Sequence, residues 1–188
     1  MKKIAILASG SGTNAEQLIG FFRTHPSARV VHVLCNKPGA GVIDRAKALN
    51  VPVMVFNREK FTSGEVLDWM REGEIDLVVL AGFLWLVPPA ITEAFEGRIV
   101  NIHPALLPKY GGKGMYGKHV HEAVIASGDK ESGITIHYVN DAYDEGDTIF
   151  QAICPVEPGD SADDLATRIH SLEHAHYPKV VEKLVEQL

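Results

Sequence analysis

The chain has 188 residues, of which 46% are hydrophobic and 22% are charged, and its formal net charge is −6 at pH 7. This length predicts one domain, spanning 1–188, with a full hydrophobic core, and the composition excludes general disorder. The negative net charge argues against a nucleic-acid partner, because neutralising phosphates requires a basic surface.

The N-terminal segment carries no recognisable targeting signal. Its apolar run ends at Ala8, where a Gly-rich turn follows, so it is too short for a signal sequence or a membrane-spanning helix. Cys35 and Cys154 lie in apolar, strand-like segments, which indicates two buried thiols in a reducing compartment. We therefore expect a cytoplasmic protein with no membrane partner.

Strand-like and helix-like segments alternate through the first half of the chain. Apolar runs bounded by Gly or Pro predict strands, and apolar residues three or four positions apart predict helices. This alternation predicts an α/β fold with a doubly wound, mostly parallel, Rossmann-like sheet. The predicted strands are Lys3–Ala8, Arg29–Cys35, Pro52–Phe56, Ile75–Ala81 and Ile99–Ile102, and the predicted helices are Asn14–Phe22, Val42–Leu49, Ser63–Arg71 and Pro88–Phe95.

The pattern changes in the second half. Two further strands can pair antiparallel and extend the sheet into a mixed one, and a long helix closes the chain. Pro178 lies inside that helix and predicts a bend or a break. In chain order, we expect a Gly-rich loop over Gly111–Gly117, a helix around Val120–Ala126, strands at Gly133–Val139 and Thr148–Val156, and a helix over Ala162–Leu188.

The turn after the first strand reads Ser-Gly-Ser-Gly-Thr-Asn and ends at Asn14. Glycines let backbone N–H groups face inward at the start of the next helix, which is typical of an anion site, although a tight turn without a ligand has the same pattern. A dinucleotide fingerprint would need a third glycine near Ala15 and an acid after the second strand, where Lys37 stands instead. A phosphate monoester is the better prediction.

Asn101 and His103 follow the fifth strand at its carboxyl end, where ligands bind in open α/β sheets. Residues two apart on a strand point to the same side, so both can face one pocket while Ile102 enters the core. An Asn amide can stabilise an oxyanion, and His can exchange a proton near neutral pH. The pair therefore fits acyl transfer, although a structural Asn–His pair would give the same spacing.

An acid-rich segment between the two late strands can complete this set. It runs from Asp141 to Gly146 and includes Asp144. A carboxylate close to His103 would favour the imidazolium and raise its pKa. The alternative is a solvated acidic hairpin loop.

Several segments together resemble the folate-dependent formyltransferases. The specific part is NIHPALLPKY, which begins at Asn101, with a downstream D-x-x-D that ends at Asp144. The other segments are ILASGSGTN, CNK, VVLAGF, Gly133–Asp144 and LEHAHYP, and they occur in the expected order over nearly the whole chain. The resemblance implies one formyltransferase domain, with a phosphate-binding half at about 1–100 and a folate-binding and catalytic half at about 101–188.

The resemblance implies transfer of a formyl group from 10-formyltetrahydrofolate, as cosubstrate, to the amine of 5′-phosphoribosylglycinamide in de novo purine biosynthesis. The amine attacks directly, without an acyl-enzyme. Asn101 binds the oxyanion, protonated His103 stabilises it and returns a proton to the folate nitrogen, and Asp144 orients and charges His103. The implied partners are small molecules, no metal is required, and the protein is a monomer or a homodimer.

The resemblance also implies binding residues at two ends of a site. Gly12, Thr13 and Asn14 bind the phosphate, with His170 nearby, and Glu173 binds the glycinamide or ribose. The folate is held by Asn101, Asn140, Asp141, the backbone of Leu84, Trp85, Leu86 and Val87, and a basic residue near its tail, for which Lys60 is the first candidate and Arg58 the second.

The sequence departs from the family pattern at three places. His170 stands where a Gln is expected, and Trp85 stands where an Arg is common. The segment 111–118 is longer than in the most familiar form, so how it closes over the site is open.

Three alternative interpretations compete with this one: a metal site, a hydrolase and a non-enzymatic sensor. His119 with His121, and His170 with His174, have spacings that suit a metal, but no acidic motif accompanies them. Hydrolysis of the formyl-folate is disfavoured because the hydrolases of this fold carry an extra N-terminal domain, and tRNA-modifying relatives carry an extra C-terminal one. A non-enzymatic phosphate or folate sensor would not need Asn101, His103 and Asp144.

Overall fold

A computed structural model describes all 188 residues. Its centre is a seven-stranded sheet in the order β3-β2-β1-β4-β5-β6-β7, in which the first five strands along the chain are parallel and β6 and β7 are antiparallel additions. The mixed, mostly parallel sheet is therefore confirmed. The strands are β1 (Lys2–Ala8), β2 (Ala28–Cys35), β3 (Val53–Val55), β4 (Leu77–Leu80), β5 (Ile99–His103), β6 (Glu131–Tyr138) and β7 (Thr148–Pro155).

Seven helices cover the sheet. Their bounds are α1 (Thr13–Phe22), α2 (Gly41–Ala48), α3 (Arg58–Ser63), α4 (Glu65–Glu72), α5 (Pro89–Ala94), α6 (Lys118–Ser127) and α7 (Ala162–Glu186). Helix α3 was not predicted, because its six residues are too few to show an apolar repeat. The Asn57 side chain caps it by accepting the Lys60 N–H, and Gly64, at φ 98°, ends it and starts α4.

Of the bend or break predicted at Pro178, the break is contradicted, because α7 continues through this residue to Glu186. The residues around it are buried against the sheet, and the Tyr177 hydroxyl donates a hydrogen bond to the carbonyl of Leu80 at 2.7 Å. Packing of this kind offsets the backbone hydrogen bond that proline cannot make. A capping box between Ser161 and Asp164 fixes the start of the helix.

The core lies in two layers, one on each face of the sheet. The larger cluster packs β1, β2 and β4 side chains against α1, α2 and α7, and the smaller one packs the opposite face against α3, α4 and α5. Cys35 and Cys154 are buried and unpaired, as predicted. No helix is long and apolar enough to span a membrane. The carboxyl ends of β1, β4 and β5 meet at one edge, which is where the candidate site lies.

Candidate active site

A cavity of about 580 Å³ lies at the carboxyl ends of β1, β4 and β5. It is bounded by the β1–α1 turn, the segment after β4, the end of β5, the Gly-rich loop before α6, and α7. The predicted site residues that line it are Gly12, Thr13, Asn14, Leu84, Asn101, His103, Asp144, His170 and Glu173. Lys60, Trp85, Leu86, Val87, Asn140 and Asp141 lie outside its wall.

The β1–α1 turn requires glycine at one position. Gly12 has φ +81°, and a Cβ there would lie 2.5 Å from the side chain of Val42. Gly12 is also the N-cap of α1 and offers no side chain to the first N–H groups of the helix. These N–H groups and the positive end of the helix dipole therefore lie at the cavity, where they can bind an anion.

Asn14 connects this turn to α7. Its Nδ2 donates a hydrogen bond to Glu173 Oε2 at 2.8 Å, while its Oδ1 is buried without a partner. Glu173 is 6% exposed, and burial raises the pKa of its carboxyl group, although the Asn14 hydrogen bond and nearby His170 oppose that shift. The carboxylate is thus held at the cavity wall in an environment that disfavours its charge.

Asn101 and His103 line the cavity from β5, and Ile102 between them belongs to the larger core cluster and also borders the cavity. His103 is 3% exposed, and its Nε2 lies 2.7 Å from the carbonyl oxygen of Tyr110. A carbonyl can only accept, so Nε2 carries the proton in the neutral ring. His103 Nδ1 then faces Asp144 Oδ2 at 3.5 Å, and a second proton on the ring would lie between these two atoms.

Asp144 is held by three groups around the carboxylate. The Gly112 N–H donates to Oδ2 at 3.0 Å, and His137 Nε2 lies 3.6 Å from Oδ1. Burial alone would raise the pKa of Asp144, but His137, His103 and the Gly112 hydrogen bond outweigh it and hold the pKa below its ordinary value. Asp144 is therefore a carboxylate at neutral pH.

Asp144 raises the pKa of His103, as expected of a nearby carboxylate, but the net pKa of His103 still lies below its ordinary value. Burial is the largest influence and lowers the pKa of His103; Asp144 and the Tyr110 carbonyl act in the opposite direction, and nearby His137 adds to the lowering. The ring is nearly enclosed, so the loss of hydration outweighs one carboxylate at 3.5 Å. His103 is therefore predominantly neutral at pH 7.

His137 on β6 belongs to this group and was not singled out from the sequence. It pairs with Asn101 in the β5–β6 register, and Asn101 Nδ2 lies 3.2 Å from its Nε2. Its Nδ1 donates to the carbonyl of Tyr138 at 2.8 Å, so in the neutral ring Nε2 accepts from Asn101, whereas in the protonated ring Nε2 donates to Asp144. The antiparallel pairing of β6 with β5 was the signal that could have placed it here.

The segment after β4 is tied to the site by its backbone. The Leu84 N–H donates to Ser9 Oγ at 3.0 Å, and the Leu86 N–H donates to the Tyr143 hydroxyl at 3.0 Å. Val87 is buried in the smaller core cluster. On the facing loop, Asp141 accepts a hydrogen bond from the Thr92 hydroxyl, and Asn140 accepts the Ala142 N–H.

Lys60 does not reach the cavity. Its Nζ pairs with Glu65 at 2.7 Å and lies in a separate surface depression beside Trp69. Arg58 is placed differently, because its guanidinium lies 4.3 Å above the Trp85 ring, and Trp85 follows cavity-lining Leu84. No carboxylate pairs with Arg58.

The sequence profile of the family described as Formyl transferase matches residues 2–181. The chain belongs to the formyl transferase family. A chloroplastic phosphoribosylglycinamide formyltransferase of Vigna unguiculata is 40% identical over 99% of this chain, which spans 62% of that relative's length. The phosphoribosylglycinamide formyltransferase of Haemophilus influenzae is 37% identical over 99% of this chain and 88% of its own. The crystal structure of phosphoribosylglycinamide formyltransferase from Bacillus halodurans has 39% identity and a TM-score of 0.89, over 98% of this chain and 95% of its own.

The histidines of this formyl transferase are dispersed around the site. The His170 and His174 rings are nearly parallel with centroids 6.5 Å apart, and His119 lies on the surface 3.7 Å from Glu122. No group of three or more His, Cys, Asp or Glu side chains converges on a point that could hold a metal ion. His121 is buried in the cavity wall, a position that its spacing from His119 did not predict.

Proposed function

We propose that this formyl transferase moves the formyl group of 10-formyltetrahydrofolate to the amine of 5′-phosphoribosylglycinamide, a step of de novo purine biosynthesis. The observation that carries the proposal is the meeting of Asn101, His103 and Asp144 in one cavity that also contains the N-terminus of α1. Relatives that match nearly the whole chain bear the name of this activity.

The acceptor binds at the α1 end of the cavity. Gly12, Thr13 and Asn14 hold its phosphate through backbone N–H groups, and His170 adds a donor from α7. Glu173 binds the glycinamide or ribose end, for which its buried carboxylate is suited because hydroxyl and amine donors would replace the hydration it has lost.

The amine attacks the formyl carbon directly. The new C–N bond forms on the acceptor nitrogen, the formyl oxygen gains negative charge, and the bond to the folate nitrogen then breaks. Asn101 donates to this oxyanion, since only one of its two Nδ2 protons is used by His137. Positioned donors of this type contribute roughly 3 kcal/mol to transition-state stabilisation.

Proton movement passes along His103 and Asp144. Asp144 relays the proton lost by the amine, through water, and the charge of the protonated His103 ring stabilises the oxyanion. Because Nε2–H is bonded to the Tyr110 carbonyl, the proton returned to the leaving folate nitrogen is the one on Nδ1, and it passes by way of Asp144 and water. Because burial lowers the pKa of His103, Asp144 and the developing negative charge are needed to favour the charged ring near neutral pH. The neutral resting ring avoids a permanently buried charge.

The folate binds at the opposite end of the cavity. The backbone of Leu84–Val87 holds the pterin, with Asn140 and Asp141 on the facing loop and Tyr143 joining the two segments. Arg58 on Trp85 supplies the cation for the folate tail in place of Lys60, which is engaged by Glu65. We also propose that the chain acts as one domain in the cytoplasm, as a monomer or a homodimer.

A spectrophotometric assay tests the proposal. The purified protein is mixed with 10-formyltetrahydrofolate, and loss of the formyl group is followed with and without phosphoribosylglycinamide. We expect deformylation that depends on the amine and equals the formylated acceptor formed. Deformylation at the same rate without the amine would indicate hydrolysis instead, and no turnover with it would refute the assignment.

A further inference from the structure

His121 is the most enclosed side chain of the cavity wall that the proposed reaction does not use. It lies on α6, is 3% exposed, and borders the same cavity as His103 and Glu173. Helix α6 packs against α7, which carries His170 and Glu173. His121 therefore belongs to the acceptor end of the cavity.

Neither ring nitrogen of His121 has a hydrogen-bond partner in the protein, and Nδ1 is shielded from solvent. The two other buried histidines of the site are different: His103 is bonded to the Tyr110 carbonyl, and His137 to the Tyr138 carbonyl and to Asn101. A buried polar group without a partner is costly, so its retention in a cavity wall indicates that a ligand supplies the partner.

The charges around His121 indicate an anionic ligand. Burial lowers the pKa of His121 to about 4, with smaller contributions from His170 on α7 and His103 on β5, so the ring is neutral at pH 7. The two carboxylates of the cavity wall each accept a hydrogen bond from the protein, Glu173 from Asn14 and Asp144 from Gly112. Glu122 on α6 is exposed beside His119. Three imidazoles line this cavity, and each can donate a ring N–H to an anion and gains a favourable charge if it is protonated beside one.

We propose that His121 is a further binding residue for the phosphate of the acceptor, donating a ring N–H to a phosphate oxygen opposite the β1–α1 turn. This rests on the proposed function, because that function places a phosphate monoester at this end of the cavity. A bound dianion favours the charged form of the ring and therefore raises the pKa of His121. Phosphate binding is thus accompanied by proton uptake at His121.

Steady-state kinetics of His121→Ala test the contact with two acceptors, phosphoribosylglycinamide and the same molecule without its phosphate. Loss of one hydrogen bond to a charged group should raise KM for the phosphorylated acceptor roughly tenfold, with kcat little changed. KM for the dephosphorylated acceptor should stay unchanged. His119→Ala, an exposed change on the same helix, is the matched control and should leave both constants unaltered.

An equal loss with both acceptors would assign His121 a structural role and overturn the inference. An unaltered KM in His121→Ala would do the same while leaving the formyl transfer reaction intact. Absence of transfer by the wild-type protein would instead refute the proposed function, so the two failures are distinguishable.

Calorimetry with sulfate covers the case in which His121→Ala fails to fold. Sulfate is a dianion that does not titrate near neutral pH, so any proton taken up when it binds must go to a group of the protein. The uptake is measured at about pH 6 by comparing the heat of binding in buffers of different ionisation enthalpy. We expect uptake by the wild-type protein, and less uptake by His121→Gln. No uptake by the wild-type protein, or the same uptake by both, would overturn the inference.

Discussion

Asn14 and Glu173 are 159 positions apart in the chain, and the Asn14 amide donates a 2.8 Å hydrogen bond to the Glu173 carboxylate. This contact joins the turn after β1 to the middle of α7 across the acceptor end of the cavity. It leaves Asn14 Oδ1 without a partner and Glu173 in surroundings that disfavour its charge. Both groups can therefore make further hydrogen bonds to a ligand, and their burial without such bonds lowers the stability of the protein.

Glu173→Gln should stabilise the protein and weaken acceptor binding. The raised pKa of Glu173 means that its contribution to stability is complete at acid pH and is lost as the pH rises through the folded-state pKa. The melting temperature of the variant should exceed that of the wild type by roughly 2–4 °C at pH 8, and by less at pH 5. KM for the acceptor should rise. A wild-type protein that melts at a higher temperature than Glu173→Gln at pH 8 would contradict this account.

Gly12→Ala should destabilise the fold, because φ is +81° and the new Cβ would lie 2.5 Å from Val42. We expect a loss of about 2 kcal/mol or more in the free energy of unfolding, measured by urea denaturation. Gly10→Ala is the matched control in the same turn, since nothing lies within 4 Å of its Cβ position. Equal losses in both variants would contradict the steric explanation.

Much of the fold could be predicted because buried parallel strands leave continuous apolar runs. The run Ile75–Ala81 is an example, and it corresponds to β4. Helix α3 could not be predicted, because a six-residue helix set by one capping Asn leaves no periodic pattern. The continuity of α7 through Pro178 depends on burial of the neighbouring side chains, which is a tertiary effect that sequence periodicity does not contain.

The part of the site that could be predicted is the part in which chemically reactive residue types stand close together in a short motif. Asn101 and His103 face one cavity, as their spacing on a strand required. The low pKa of His103 was not predictable, because it depends on enclosure by segments distant in the chain. The position of Lys60 outside the cavity has a similar cause, since the pattern does not show that Glu65 pairs with it.

His103→Ala should abolish most of the transfer while binding persists. Removal of a general acid–base group lowers kcat by roughly 10²–10⁴-fold. Folate binding, measured by calorimetric titration, should remain close to wild type because the predicted pterin contacts come from the backbone of 84–87. A variant that retains wild-type kcat would contradict the catalytic role of His103.

Asp144→Asn should move the alkaline limb of the pH–rate profile to lower pH. The Asp144 carboxylate raises the pKa of His103 against the effect of burial, so its removal lowers that pKa further. If the charged ring is required, activity is lost as the pH rises through the His103 pKa, and in the variant this loss begins at lower pH. The measurement is kcat against pH for both proteins. An unshifted alkaline limb would exclude this role for Asp144.

Arg58→Ala should weaken binding of the folate tail, and Lys60→Ala should not. The two cations are two residues apart, but Arg58 is stacked 4.3 Å above Trp85 and has no carboxylate partner, whereas Lys60 is paired with Glu65 at 2.7 Å. An unpaired guanidinium held in place by an aromatic ring can bind a carboxylate with little loss of side-chain freedom.

We expect KM for 10-formyltetrahydrofolate to rise roughly tenfold in Arg58→Ala. The loss should be absent when the folate substrate lacks its glutamate, because the contact is to the tail and not to the pterin. A larger effect of Lys60→Ala would restore the residue first predicted from the sequence.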